Sequence, residues 1–162
     1  MLRVRIAGAA LAALLVCGSA FAQLLTEKKF YTLPQYTTAG GKTIKSVRVG
    51  YETYGKLNAA GDNAVFIAHF FSGTSHAAGR YSADEKTAGY WDAIIGPGKA
   101  IDTDRYFVVS ADTLVNLNVK SKTVGTVGPA TINPDTGKPY GSSFPVEDVV
   151  LEPRHVLLQP VS

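Results

Sequence analysis

Residues 64–71, AVFIAHFF, are an apolar run with almost no alternation, set between the turn-forming string NAAGDN (58–63) and the small polar string SGTSHAAG (72–79). A strand exposed on one side alternates apolar and polar residues, so a short unbroken run predicts a strand covered on both faces. A second such run, YFVVS at 106–110, follows a segment with a short helical stretch at 91–95 and a Gly-Pro-Gly stop at 96–98. Two buried strands joined by a crossover imply a parallel sheet with a right-handed connection. The expected class is therefore α/β, with the two runs as parallel neighbours.

Ahead of these runs, residues 28–37 and 43–54 alternate apolar and polar side chains around Gly40-Gly41, a pair able to take positive φ in a tight turn. This predicts an antiparallel hairpin. Beyond Asp112 the periodic signals fade. Residues 116–146 are rich in Gly, Pro, Thr, Asn and Ser, which predicts a long surface excursion, and loops of that length in compact domains tend to be functional or disordered. No internal repeat or heptad pattern is present.

The amino terminus reads differently from the rest. MLRVR carries two positive charges, seventeen uncharged residues follow, and Ala20-Phe21-Ala22 supplies small residues where a signal peptidase reads them. Residues 1–22 are thus expected to be a secretory signal peptide cleaved before Gln23, placing the mature chain in the periplasm or outside the cell. The apolar run falls short of the ~20 residues that span a bilayer comfortably, so no stable membrane anchor is expected. Cys17 is the only cysteine and lies in the segment to be removed, which leaves no disulfide in the mature chain. Val16 before it is not the small residue of a lipoprotein signal.

Composition narrows the function classes. With 46% hydrophobic and 18% charged residues, the chain is globular rather than disordered. Of 16 basic residues, Arg3 and Arg5 leave with the signal peptide, and the remaining 14 face 13 acidic ones. The basic isoelectric point near 9.0 therefore gives no reason to expect nucleic acid as a partner. Lys42, Lys45 and Arg48 have strand spacing and read as a solvated face.

Four strings then carry a family resemblance: VRVGYETYGKLN (47–58), NAVFIAHFFSGTSHAAG (63–79), GYWDAIIGPGKAIDTDRYFVV (89–109) and GPATINPDTGKPYGSSFPV (128–146). In order and spacing they resemble homoserine O-acetyltransferases and their esterase-like relatives, members of the α/β-hydrolase superfamily. The signal peptide suggests the secreted, hydrolase-like branch. The resemblance implies the N-terminal part of an α/β-hydrolase domain over 23–146, a mostly parallel sheet with an N-terminal antiparallel hairpin. It also implies acyl transfer or ester hydrolysis through an acyl-serine intermediate and a Ser-Asp-His triad in that chain order. The substrate implied is a small-molecule acyl ester or acyl-coenzyme A, with no cofactor. Relatives place one oxyanion N–H in the loop after the strand that carries His69, by position on Phe71. The candidate oxyanion loop is Phe71, Ser72 and Gly73, where N–H groups are no longer claimed by a sheet ladder.

The sequence also departs from the family. NLNVKSKTVGTVGP (116–129) replaces a Gly-rich, often Cys-containing stretch, and EDVVLEPRHVLLQPVS (147–162) is an unmatched tail, with a weak helical pattern over 146–151. No G-x-S-x-G string occurs. The nearest is Gly73-Thr74-Ser75-His76-Ala77, which makes Ser75 a weak nucleophile candidate, with Asp102 or Asp104 and then His155 in triad order. No catalytic residue is otherwise identified.

Of the histidines, His69 is expected to bond backbone in the core or in a loop. The bland reading of His76 is an exposed loop histidine, the alternative being that its ring orders the loop. Metal-binding spacings are absent, and DTD at 102–104 has the composition of a turn. The chain is expected to be a truncated, inactive fragment of an acyl-transfer lineage, interrupted near Val146 by a frameshift or an incomplete gene. The alternative is a secreted, non-catalytic binding fragment or a pseudogene product.

Overall fold

The computed structural model describes residues 23–146; the signal-peptide reading of 1–22, the helical pattern that continues into 147–151, and His155 lie outside them. The predicted hairpin is present as β1 (Lys29–Thr37) and β2 (Thr43–Tyr54), paired antiparallel from Lys29 opposite Tyr51 to Thr37 opposite Thr43. Gly41 takes φ 79° in the turn, where Thr38 and Lys42 close a backbone hydrogen bond of 2.8 Å. Pro34, which has no N–H to give a ladder, sits in β1 at the sheet edge.

Ser46, at φ 54°, shifts the pleat of β2 by one residue. Ile44, Val47 and Val49 consequently share the apolar cluster that strict alternation from Ile44 would have broken. Lys42, Lys45 and Arg48 are exposed as expected, with Lys45 paired to Asp135 at 2.7 Å and the Arg48 guanidinium over the Phe30 ring.

The two apolar runs become β3 (Ala64–Ile67) and β6 (Phe107–Ala111), paired parallel from Ala64 opposite Phe107 to Ile67 opposite Ser110. The sheet order is β1-β2-β6-β3. It is mixed: β2 pairs antiparallel with β6, so parallel pairing is confined to the β3–β6 ladder among the described residues.

Three expectations need correction. The run at 64–71 is a strand only as far as Ile67, and among the described residues it is not covered on both faces. With β6 the one strand beside it among those residues, β3 turns Val65 and Ile67 inward and leaves Phe66 46% exposed. The helical stretch at 91–95 is a single turn, with the Ile94 and Ile95 amides both donating to Trp91 O. The Gly-Pro-Gly stop arrives before a second turn can form, and the chain enters the short parallel pair β4 (Ile95–Gly96) and β5 (Ile101–Asp102) instead. The 116–146 excursion is not confined to the surface. Val127 and Phe144 are buried in the apolar cluster, and the excursion carries a two-residue hairpin, β7 (Ile132–Asn133) with β8 (Lys138–Pro139), and a 3-10 turn at Gly141–Ser143.

The packing uses both faces of the sheet. Tyr36, Ile44, Val47, Val49, Ala111, Leu114, Val127 and Phe144 form one cluster, and Tyr54, Ile67, Ala77, Ala78, Ile95 and Val108 form the other. Alternate residues of a strand point to opposite faces, so Val49 and Tyr54 of β2, like Ala111 and Val108 of β6, divide between them. Glu52, Ser110 and Asp112 have the parity of the second cluster, and all three are buried.

Candidate functional site

The loop that leaves β3 is built around the carbonyl of Phe70. Gly73 N–H donates to it at 2.7 Å, and His69 Nδ1 lies 2.6 Å from it. A carbonyl only accepts, so the His69 proton sits on Nδ1 and the imidazole orders the loop, as expected for a histidine bonded to backbone. The Phe70–Phe71 peptide is planar and trans, so with its C=O held by two donors its N–H must point the opposite way. Among the described residues the Phe71 and Ser72 amides have no hydrogen-bond partner, whereas the Gly73 amide is committed to the turn. Phe71 itself is 78% exposed, so its side chain does not supply a core contact.

The loop continues into a buried ionic cluster. The Lys28 ammonium, 7% exposed, lies 3.3 Å from both Glu52 Oε1 and Asp112 Oδ2, and both carboxylate side chains are fully buried. Glu52 also accepts from Tyr81 OH at 2.7 Å and Tyr54 OH at 2.9 Å, with His76 Nδ1 at 3.0 Å. Burial alone would raise the Glu52 pKa. Hydrogen bonds from His76 and Tyr81, with the charge of Lys28, outweigh it and hold the carboxyl below its ordinary value. Burial and the neighbouring Glu52 charge push Tyr54 and Tyr81 up. The Tyr54 hydroxyl additionally accepts the Ala77 and Ala78 amides, at 3.1 and 3.0 Å.

Asp112 is the hinge of this arrangement. Oδ1 accepts the Ser75 amide at 2.7 Å and Oδ2 the Gly125 amide at 2.8 Å. Gly125 can approach only because Gly50 is beside it: a Cβ on Gly50 would stand 2.8 Å from Gly125 N, and the two glycines also share a 2.8 Å backbone bond.

The candidate nucleophile Ser75 is fully buried, its hydroxyl against Lys28 Nζ and 3.4 Å from Glu52 Oε1. Asp102 is not among its partners. That carboxylate caps its own turn, accepting from Gly98 N and Asp104 N, and those amides lower its pKa. The structure therefore does not bring Ser75 together with Asp102 or Asp104. His76 corrects the bland expectation of an exposed loop histidine, since its ring is hydrogen-bonded to Glu52 and stacked on Tyr81 at 4.3 Å.

Sequence reasoning missed Lys28, Glu52 and Asp112 altogether. A glutamate at an inward position of an alternating strand was the available signal. Among the described residues no group of three or more His, Cys, Asp or Glu side chains is placed to hold a metal ion.

No family model matches the chain. It is 51% identical over 112 residues to a homoserine O-acetyltransferase of Methanococcoides burtonii, covering 69% of this chain and 22% of that protein. It is 54% identical over 113 residues to a homoserine O-succinyltransferase of Stutzerimonas stutzeri, covering 70% and 28%. The solved structure of esterase E22 superposes with a TM-score of 0.73 at 56% identity, over 78% of this chain and 35% of that one. The chain thus spans between about a fifth and about a third of the length of these relatives.

Proposed function

We propose, for a chain that belongs to the homoserine O-acetyltransferase-like α/β-hydrolase family and corresponds to its N-terminal portion, that residues 23–146 supply the oxyanion side of an acyl-transfer site. The observation that supports this most is the Phe70–Phe71 peptide. Its carbonyl is pinned by Gly73 N–H and His69 Nδ1, and its N–H is left unclaimed at the end of a strand that pairs in parallel. In α/β-hydrolases one oxyanion donor comes from the loop after the third strand and the other from the residue following the nucleophile. A donor whose direction is fixed before substrate arrives stabilises the tetrahedral intermediate without reorganising in the transition state. Phe71 N–H is that donor, with the neighbouring Ser72 N–H beside it.

The reaction class is transfer of an acyl group from a small-molecule ester or acyl-coenzyme A, to an acceptor hydroxyl or to water. The nucleophile attacks the acyl carbon, the carbonyl oxygen takes up the negative charge that Phe71 N–H receives, and collapse of the intermediate expels the alcohol or thiol. The 162 residues contain no G-x-S-x-G string, and Ser75 is locked in an ionic cluster. On its own, this chain is an inactive fragment of that lineage. Arg3, Arg5 and the Ala20-Phe21-Ala22 ending support export with cleavage before Gln23.

Two assays test the reading. The 162-residue chain should hydrolyse p-nitrophenyl acetate no faster than buffer, and a burst of nitrophenol lost in Ser75→Ala would reverse the view of Ser75. A hybrid in which residues 23–146 replace the matching segment of esterase E22 should regain ester hydrolysis. A folded but inert hybrid would count against the oxyanion assignment.

A further inference from the structure

We propose that Asp112, Asn116 and Asn118 form a polar clamp that positions the loop 70–75, so that Phe71 N–H is presented to the acyl oxygen; the proposal rests on the oxyanion reading above. The three side chains grip three closely spaced backbone groups of the loop. Asn118 Nδ2 donates to Ser72 O at 2.9 Å, Asn116 Nδ2 donates to Gly73 O at 2.9 Å, and Asp112 Oδ1 accepts from Ser75 N–H at 2.7 Å. The Ser72–Gly73 peptide is thereby held at both ends, its C=O by Asn118 and its N–H by Phe70 O. Phe70 O is in turn the acceptor that orients the Phe71 amide. The clamp thus sets the direction of the Phe71 N–H through the Gly73 N–H bond to Phe70 O, without touching it.

The clamp is itself braced. Asn116 Oδ1 accepts the Asn118 amide at 2.8 Å, Asn116 N–H donates to Thr126 Oγ1 at 3.1 Å, and that hydroxyl donates to Thr113 O at 2.9 Å. Asp112 accepts Gly125 N–H and is neutralised by Lys28. Between Asp112 and Asn116 the chain reverses through Val115 at φ 59°, a left-handed conformation that a β-branched residue adopts only where its surroundings impose it. Here the Val115 amide is fixed to Val127 O at 2.8 Å, and the reversal lets side chains on both sides of it reach the same loop. Asn116 is 4% exposed and Asp112 4%. Two buried polar side chains that each bond the backbone of one loop place it far more narrowly than apolar packing would.

Backbone amide exchange of the full 162-residue chain, read by NMR, tests the clamp directly. In Asn118→Ala, and in Asn116→Asp, which keeps the shape but turns the donor into an acceptor, Gly73 and Ser75 amides should exchange about tenfold faster or more, while β2 and β6 amides stay within about twofold. Unchanged exchange at Gly73 and Ser75 in both variants overturns the clamp. So does a rise shared equally with β6 in Asn118→Ala, a truncation at a half-buried site outside both apolar clusters. In Asp112→Asn, which keeps the shape but weakens the acceptor, the Ser75 and Gly125 amides should exchange faster, and unchanged exchange at both overturns the role of Asp112.

In the esterase hybrid, Asn118→Ala should lower kcat about tenfold with KM held within about twofold, a split that general destabilisation does not produce. A released loop with unchanged kcat overturns the positioning role. If Phe71→Pro also leaves the hybrid's turnover unchanged, the fault lies with the oxyanion assignment and not with the tethering of the loop.

Discussion

On one face of the sheet, Ile44, Val47 and Val49 of β2 meet Ala111, Leu114, Val127 and Phe144 with no buried charge among them. On the other, β2 and the residue after β6 bury Glu52 and Asp112 against a single ammonium, that of Lys28. Both faces are closed by non-local segments, yet they answer to different forces. The apolar face is held by area removed from water, which tolerates small changes of shape. The ionic face is held by geometry: one cation, two carboxylates and a set of backbone amides whose removal one at a time leaves charge uncompensated. The loop that carries Phe71 is attached to the ionic face, through the Ser75 amide on Asp112. Its precision is obtained where errors cost most.

The largest effect that separates the faces should come from Lys28→Ala. It strands two fully buried carboxylates and should destabilise the chain by about 3–5 kcal/mol in urea unfolding. A loss below 1 kcal/mol would mean that water reaches the cluster. Acid should act on the same face. Glu52 is held below its ordinary value of about 4.5 in the fold. Its contribution is therefore present above that value and is lost as pH falls through the lower folded value. Stability measured downward from neutral pH should fall in that acid range, and Glu52→Gln should flatten the slope; an unchanged slope would show that other carboxylates set it.

Next in size is Tyr81→Phe, which removes a 2.7 Å hydrogen bond to a buried carboxylate and should cost about 1.5–3 kcal/mol. The smallest change belongs to the apolar face, where Ile44→Val should cost about 0.5–1.5 kcal/mol and be the same at pH 7 and pH 4. A pH-dependent Ile44→Val would break the distinction between the faces.

The hairpin was legible because its information is local. Alternation over 28–37 and 43–54 and the Gly40-Gly41 turn each act within a few residues, and the observed strand bounds differ from the expected ones by a single residue. The parallel pairing of the two apolar runs was legible as well, through the crossover that joins them. The helix expected at 91–95 stops at one turn because Gly96 follows before a second can form, a limit that apolar content does not reveal. The ionic cluster was illegible for a different reason. Lys28, Glu52, Ser75 and Asp112 are separated by 23 to 84 positions along the chain, and no short-range pattern links them. His76 reads as an exposed histidine in the sequence because nothing near it announces Glu52, 24 residues away. Phe71 is placed by resemblance alone; the pinned carbonyl of Phe70 is a feature of the fold that no local sequence pattern announces.

The most direct test of the account compares two substitutions at residue 71 in the esterase hybrid. Phe71→Ala keeps the N–H and trims a side chain that is 78% exposed, so kcat for p-nitrophenyl acetate should stay within about threefold of the parent hybrid. Phe71→Pro deletes the N–H and should lower kcat by about 10²- to 10³-fold, the cost of losing one oxyanion donor. Equal activities in the two variants, with both hybrids folded, would contradict the assignment of the Phe71 amide to the oxyanion.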